Sequence, residues 1–338
     1  MNLVIGATGI LGAHVVLKLL QNNQSVIAGK QKTSDLKKVE KLFSYYDTNY
    51  KQLFEKIKWV DIDVTDIYSI EEALEGIVNV YNCSGFVSFN KADRKKLFQI
   101  NEVGAANVVN ACLEKKITAL CHVSSIATIN NSDYIVPLNE NVFWKSSGKE
   151  SDYAISKHNG EREVWRGIEE GLSAIVVNPG VILSSGFWDQ SSSQLFNVCY
   201  KGNRFYTDGK AGYIAAEDVA ACMIELIEKR LFANRYILIE ENYSFKDILS
   251  AVQTGLNRAK PTVNAGKNLL KLAALIDAFT CLFSGKPRRI TKPVIHAGLN
   301  KQVFSNAKIK TVFSKSFIPV NQAIEKICAD FLADKKGK

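Results

Sequence analysis

Short apolar runs alternate with amphipathic stretches through the first 180 residues. Asn2 to Ile5 reads as a short buried strand, and Ile10 to Gln21 as a helix with Val15, Val16, Leu19 and Leu20 on one face. Ser25 to Ala28 predicts a second strand. In residues 35–57 the apolar positions Val39, Leu42, Phe43, Leu53, Phe54 and Ile57 punctuate a charged stretch and predict one or two helices. Further strands are expected at Lys58 to Val64, Val78 to Cys83, Ala119 to Ser124, Ala174 to Asn178 and, late in the chain, Tyr236 to Ile239. Helices are expected from Ile70, over Arg94 to Glu114, and over Tyr153 to Glu170. Such alternation argues a parallel sheet covered by helices on both faces, with right-handed crossovers. Residues 184–212 and 241–310 break the rhythm and are richer in Ser, Gly and Lys, which suggests a smaller lobe over the carboxyl ends of the strands, where ligands bind in this architecture.

Composition narrows the class. A chain of 338 residues that is 46% hydrophobic and 23% charged is long enough for one large α/β domain or two smaller ones. Its net charge of +9 draws anions, acidic cofactors among them. No basic stripe is interleaved with stacking aromatics, so nucleic acid is not the expected partner. Seven cysteines, an odd number with no Cys-x-x-Cys pair, fit reduced buried thiols in a cytoplasmic compartment and argue against a disulfide frame. The four histidines lack metal-ligand spacing, and no metal is expected. The first strand begins almost at Met1, so no signal peptide is expected. The longest apolar stretch, Leu269 to Phe283, is broken by Lys271 and Asp277 and is too short to span a bilayer. It reads as a membrane-surface helix or, preferably, as a helix covering a substrate pocket.

The first strand runs into Gly6-Ala7-Thr8-Gly9-Ile10-Leu11-Gly12. Three glycines in seven residues fit an ordinary turn, but between a strand and a helix they also permit a tight turn, close approach of backbone to a pyrophosphate, and close packing of helix on strand. Helix N-terminal amides would then point at the phosphates. After the second strand come Gly29-Lys30-Gln31-Lys32, with no acid until Asp35. Lys30 and Lys32 favour the extra phosphate of NADP over the bare ribose of NAD, with exposed loop lysines as the competing reading. Asp63-Val64, after the third strand, would meet the adenine. The small residues Cys83-Ser84-Gly85, after the fourth, would let backbone approach the cofactor.

Tyr153 and Lys157 stand four residues apart in a helical stretch and so share a face. A neighbouring ammonium favours a phenolate, which makes Tyr153 a candidate general acid/base. Spacing alone is weak, because Tyr206 and Lys210 repeat it across Thr207-Asp208-Gly209, which reads as a turn.

Together these residues resemble the extended short-chain dehydrogenase/reductase family, also called the NAD-dependent epimerase/dehydratase family. The resemblance rests on the glycine turn, Asp63-Val64, Asn101-Glu102-Val103-Gly104-Ala105-Ala106-Asn107, His122-Val123-Ser124-Ser125, Tyr153 to Lys157, Asn178-Pro179-Gly180 and Ala216-Glu217-Asp218-Val219-Ala220. It is strongest over residues 1–220. Within the family the chain looks most like the dihydroflavonol-reductase-like branch. The resemblance implies a Rossmann-type doubly wound parallel sheet, residues 1–183 with 213–240, and a smaller C-terminal substrate-binding lobe, residues 184–212 with 241–338. It implies a catalytic triad of Ser125, Tyr153 and Lys157, with Ser124 the neighbour that competes for the serine role. In the family the lysine also bonds the nicotinamide ribose, the Asn178-Pro179-Gly180 loop lies beside the nicotinamide, and Asn101 supports the site. Family members often pair, so a homodimer is a further expectation. Sugar-nucleotide dehydratases carry Asp-Glu directly after the catalytic hydroxyl residue; here Ile126-Ala127 stand there, which speaks against elimination of water.

The leading expectation is an NADP-dependent reductase, NAD being the other cofactor, that acts on a small-molecule ketone or aldehyde or oxidises the alcohol. A sugar-nucleotide epimerase is the rival, with Lys201, Arg204, Lys210, Arg288 and Arg289 as candidate diphosphate contacts. A non-catalytic NADP sensor is the third reading. Phe187, Trp188, Phe196, Tyr200, Phe205, Tyr206, Leu269, Leu272, Leu275, Ile276 and Phe279 would line an apolar substrate pocket or simply pack a core.

Overall fold

The computed structural model describes residues 1–130, 137–148, 150–284 and 291–336; of 278–280, 282–284 and 293 it describes the backbone alone. The strands in chain order are β1 Asn2–Ile5, β2 Val26–Lys30, β3 Lys58–Asp61, β4 Asn79–Asn82, β5 Ala119–Val123, β6 Ala174–Pro179, β7 Val181–Leu183, β8 Phe205–Tyr206, β9 Lys210–Ala215, β10 Asn234–Leu238, β11 Glu241–Ser244 and β12 Val263–Asn264. The helices are α1 Ile10–Gln21, α2 Leu36–Tyr46, α3 Tyr50–Glu55, α4 Ile67–Ala73, α5 Arg94–Phe98, α6 Gly104–Glu114, α7 Asp152–Glu169, α8 Gln194–Tyr200, α9 Ala216–Glu228, α10 Phe245–Gly255, α11 Lys267–Ser284, α12 Lys292–Leu299, α13 Ala307–Val312 and α14 Val320–Lys336.

Seven strands form one sheet in the order β10-β6-β5-β4-β1-β2-β3. Every pairing in it is parallel. The chain winds outward from β1 through β2 to β3, then returns to place β4 on the other side of β1. That reversal opens a crevice at the carboxyl ends of β1 and β4. Both faces are buried, as the continuous apolar runs in the strands require. One face packs on α1, α2 and α9 through residues such as Val15, Leu19, Leu42 and Met223. The other packs on α4, α6 and α7 through Ile70, Val108 and Val164.

The boundaries differ from expectation for identifiable reasons. β2 runs on to Lys30 because Lys30 registers against Asp61 of β3. β3 stops at Asp61 because Asp63 turns the chain: its carboxylate accepts the Thr65 amide at 2.9 Å and the Thr65 hydroxyl at 2.7 Å. The single helix expected over residues 94–114 is divided by a π-helical turn, Gln99–Val103, of the kind that often marks functional positions.

The later chain is more regular than its composition suggested. β11, β9 and β7 form a three-stranded sheet, and β12 pairs with β8. Phe196, Ile248, Val252, Ile324 and Phe331 bring α8, α10 and α14 together around a separate core. The apolar positions of α14, Ala323, Ile324, Ile327, Cys328 and Phe331, recur at three- and four-residue spacing and are all buried. Asp334 near its end accepts the Tyr45 hydroxyl, the Trp188 indole N–H at 2.8 Å and a Lys41 ion pair at 3.1 Å, which fastens α14 to α2.

Candidate active site

The crevice at the switch point is a cleft of about 240 Å³ lined by Gly6, Thr8, Gly9, Gly29, Lys30, Ile62, Val64, Cys83, Ser84, Gly85 and Phe86, among others. Its floor is built by close backbone approach. Gly6 has φ +76°, and a Cβ there would sit 2.8 Å from the Ser84 nitrogen. A Cβ on Gly12 would lie 2.2 Å from the Gly6 carbonyl oxygen. Gly9 leads into α1 with no side-chain cap, so the first-turn amides, those of Ile10, Leu11 and Gly12 included, have no hydroxyl or carboxylate upon them. A glycine floor beneath uncapped helix amides fits a dinucleotide's pyrophosphate. Thr8 Oγ1 lies 3.1 Å from Ser34 Oγ, tying the turn to the segment after β2.

The loop after β4 is held from below. Asn82 Oδ1 accepts the Ser84 amide at 3.1 Å and its hydroxyl at 2.5 Å. Asn82 Nδ2 in turn lies 3.1 Å from His122 Nδ1, and burial drives the pKa of His122 well down. Asn101, in the π-helical turn, accepts the Phe86 amide at 2.8 Å and donates to the Phe86 carbonyl and the Ser156 hydroxyl, each at 2.9 Å. Asn107, one and a half turns on, donates to the Val64 carbonyl at 2.9 Å. The two asparagines of the 101–107 motif therefore pin two loops that rim the cleft.

Tyr153 and Lys157 project from α7. Ser125 caps the turn that follows β5, its hydroxyl accepting the Ala127 amide at 3.1 Å and lying against the Tyr153 side chain. Burial raises the pKa of Tyr153, and the Ser125 hydrogen bond only opposes that rise. Phe89 meets the tyrosine ring edge-on, centroids 5.9 Å apart. Lys157 is 4% exposed and donates to the Val123 carbonyl at 2.6 Å. Burial lowers its pKa to about 8, against the pull of Glu161 and Cys83. The expectation that Lys157 lowers the Tyr153 pKa is thus corrected: burial governs the phenol, which keeps its proton, and the ammonium points at a β5 carbonyl. Burial also pushes the Cys83 thiol up to about 12, leaving it protonated.

Glu161, one turn beyond Lys157, is the residue that sequence reasoning missed. It is 2% exposed, and its Oε2 accepts Ser124 Oγ at 2.7 Å, Thr128 Oγ1 at 2.8 Å and Asn178 Nδ2 at 2.9 Å. Its Oε1 faces Arg235 of β10 at 3.3 Å. Burial would raise its pKa, but the Arg235 charge and the three donors outweigh that and hold it below the usual range. This carboxylate separates the two serines: the Ser124 hydroxyl is consumed underneath, whereas Ser125 faces Tyr153. The available signal was the third step of a four-residue series, Tyr153, Lys157, Glu161. Gly160 beside it lets α7 approach the π-helical turn, since a Cβ there would lie 2.0 Å from the Asn101 carbonyl oxygen.

Other expectations fare differently. Lys30 is ion-paired to Asp61, so the acid that the sequence lacked after β2 arrives from the neighbouring strand. Lys32 is exposed beyond it. Asp63 is exposed and absorbed in its own turn, while Ile62 and Val64 on either side line the cleft. Asn178, Pro179 and Gly180 lie at the end of β6; Asn178 turns down to Glu161, and Gly180 packs against the Gly212 backbone. The apolar roster does not surround Tyr153. Trp188, Phe196 and Tyr200 pack with Phe331 in the lobe core, and Leu269, Leu272, Leu275 and Ile276 are exposed. The Phe279 side chain, Arg288 and Arg289 lie outside the described residues, and Lys201, Arg204 and Lys210 are exposed. Instead, a cavity of about 390 Å³ next to Tyr153 is lined by Ser88, Phe89, Asn90, Lys91, Arg94, Glu150, Ser151 and Asp152.

A parallel sheet with a glycine-floored crevice at its switch point is a dinucleotide-binding architecture. The chain belongs to the NAD dependent epimerase/dehydratase family, whose model matches residues 2–237. It is therefore an NAD(P)-dependent enzyme acting at CH–OH or carbonyl carbons. It is 27% identical to sterol demethylase protein B of Methylococcus capsulatus, over 81% of this chain and 80% of that protein. It is 24% identical to tetraketide alpha-pyrone reductase 2 of Arabidopsis thaliana, over 74% and 81%. Its fold is that of the gox2253 crystal structure, with TM-score 0.81, 24% identity and coverage of 99% and 98%. UDP-glucose 4-epimerase of Thermus thermophilus, solved with NAD, shares the fold at TM-score 0.72 and 16% identity, over 98% of each chain.

Proposed function

We propose that this protein is an NADP-dependent carbonyl reductase in which Ser125, Tyr153 and Lys157 do the chemistry. The observation that carries the reading is the placement of the Ser125 hydroxyl against the half-buried phenol of Tyr153, with Lys157 on the same helix. A protonated phenol beside a hydroxyl suits donation to a developing alkoxide. When bound, the nicotinamide supplies hydride to the carbonyl carbon. Ser125 aligns the carbonyl oxygen, Tyr153 gives it a proton, and the Lys157 ammonium, beside Gly85, anchors the ribose. The substrate takes the cavity between the Phe89 loop and Asp152. Residues 1–183 with 213–240 form the cofactor half in this reading, and 184–212 with 241–338 the substrate lobe.

Within the cofactor cleft we assign the pyrophosphate to the Gly6–Gly12 turn and the adenosine side to Ile62 and Val64. The 2′-phosphate of NADP falls to Lys32 and, against the competition of Asp61, Lys30. The names of the reductase relatives support reduction over epimerisation. The test is Tyr153→Phe assayed on a panel of ketones and aldehydes. Turnover should fall about 10²–10⁴-fold with NADPH affinity unchanged. Undiminished turnover in that variant sinks the assignment, and a wild-type protein that interconverts epimers without net NADPH consumption points to the epimerase instead.

A further inference from the structure

We propose that α11 is an interfacial helix that docks this protein on an anionic lipid surface. The proposal does not rest on the reductase reading. A helix at the surface of a globular protein ordinarily turns its large apolar side chains inward. On α11 the order is reversed. Leu269, Leu272, Leu275 and Ile276 are 38%, 55%, 68% and 57% exposed, at the spacing of a single helix face. The small Ala273 and Ala274 are partly covered instead. Exposed Lys267 and Lys271 flank the apolar row. At the N-terminal end of the helix, the paired residues Phe205 and Val263 of the β8–β12 ribbon are also exposed, at 50% and 39%. A run of exposed apolar side chains of this kind marks an interaction surface.

Charge identifies the occupant. Residues 258–301 contain nine lysines and arginines and one acid, Asp277, so this segment carries a formal +8 of the chain's +9. The remaining residues are almost neutral. A leucine row flanked by exposed Lys267 and Lys271, within a strongly basic stretch of the chain, matches the interface of a bilayer with anionic headgroups, where apolar burial and electrostatic attraction add. A second copy of the same surface would set Lys267 and Lys271 against their own kind, which opposes self-association. Among the described residues no helix is long and apolar enough to cross a membrane, so α11 would lie on the surface. The helix is held to the body at its N-terminal end, where the Ala265 amide donates to the Tyr206 carbonyl at 2.7 Å, and α12 is tied at its far end, where the Lys210 amide donates to the Asn300 carbonyl at 2.7 Å. Thr291, at the start of α12, reaches the carbonyl of Phe89 at 3.4 Å, and Phe89 is the residue that packs on Tyr153. Docking would therefore hold the mouth of the reaction cleft near the bilayer, the source of lipophilic substrates.

The experiment is co-sedimentation of the whole chain with vesicles of phosphatidylglycerol and, separately, of phosphatidylcholine. The expected result is binding to phosphatidylglycerol alone, reversed at high salt. Leu272→Asp with Leu275→Asp should lower that partitioning at least about tenfold. Lys267→Glu with Lys271→Glu should weaken it while leaving every leucine in place. Both pairs are exposed, and an unchanged circular-dichroism melt certifies folding; should the leucine pair misfold, the lysine pair carries the test. Equal sedimentation with both lipids, none with either, or unchanged binding by the folded variants overturns the proposal. A dimer that the leucine variants dissociate, with no vesicle binding by the parent, overturns it in favour of a second copy.

Discussion

Two helices of this protein break the globular rule in opposite directions. α7 turns charge inward: Lys157 and Glu161 are 4% and 2% exposed. Among its described side chains, α11 turns Leu269, Leu272, Leu275 and Ile276 outward. The buried charges are tolerated because each has partners, three donors and a guanidinium for Glu161 and a strand carbonyl for Lys157. No comparable pairing protects an exposed leucine, which costs little where it stands and gains only when something covers it. Departures from local consistency concentrate at working parts of a protein, and here they mark the proposed reaction centre and the proposed docking face.

The comparison predicts unequal costs. Glu161→Gln removes the buried charge that answers the partly buried Arg235 guanidinium and puts a neutral amide before the three donors, which should cost about 2 kcal/mol in denaturant unfolding. A loss under about 1 kcal/mol would mean that the cluster is not the keystone of the 124–128 turn. The effect is conditional on pH. The Glu161 carboxyl is held below its ordinary value, so its contribution is present above the unfolded pKa near 4.5 and is lost as pH falls through the folded value.

Lys157 supplies the next effect, in rate. Its pKa of about 8 lies below the unfolded value, so the anchoring charge is lost as pH rises through 8. The kcat/KM profile of the parent should bend down near pH 8 and then fall about tenfold per pH unit. In Glu161→Gln the bend should move to lower pH, because Glu161 is the main group holding the lysine proton on. A bend that stays in place would uncouple the two residues. The folded state holds fewer protons than the unfolded one between pH 8 and 10.5, so stability rises across that window, and Lys157→Met should flatten the rise.

A smaller effect is expected at the cofactor end. Asp61→Asn frees Lys30, and the ratio of NADPH to NADH affinity should rise about fivefold by fluorescence titration. An unchanged ratio would take Lys30 out of phosphate recognition. The smallest effect belongs to α11: Leu275→Ser should alter stability by no more than about 0.5 kcal/mol. A cost comparable to that of Glu161→Gln would show the leucine already packed in solution and erase the contrast between the helices.

Much of this was readable in advance. Each strand of the seven-stranded sheet was expected, because strands covered on both faces read as short apolar runs, whereas those of the two smaller sheets were not. The glycine turn and the Tyr153–Lys157 spacing were legible because both are local: a few consecutive residues, or one helical turn, contain the whole device. Glu161 was not, because its meaning lies in Ser124, Thr128, Asn178 and Arg235, which come from two strands and the turn after β5. Lys30 looked like a cation with no nearby acid for the same reason, since Asp61 is 31 residues away in the chain and adjacent only across the β2–β3 pairing.

Periodicity and composition alone therefore determined the parallel α/β sheet, its cofactor turn and the helix that carries the phenol and the ammonium, because those depend on side-chain alternation over distances shorter than one element. Tertiary packing alone decided which serine faces the tyrosine, which acid neutralises Lys30, and which way the apolar side of α11 points. Those outcomes depend on groups far apart in sequence meeting where water is excluded or admitted, and no local pattern encodes that meeting.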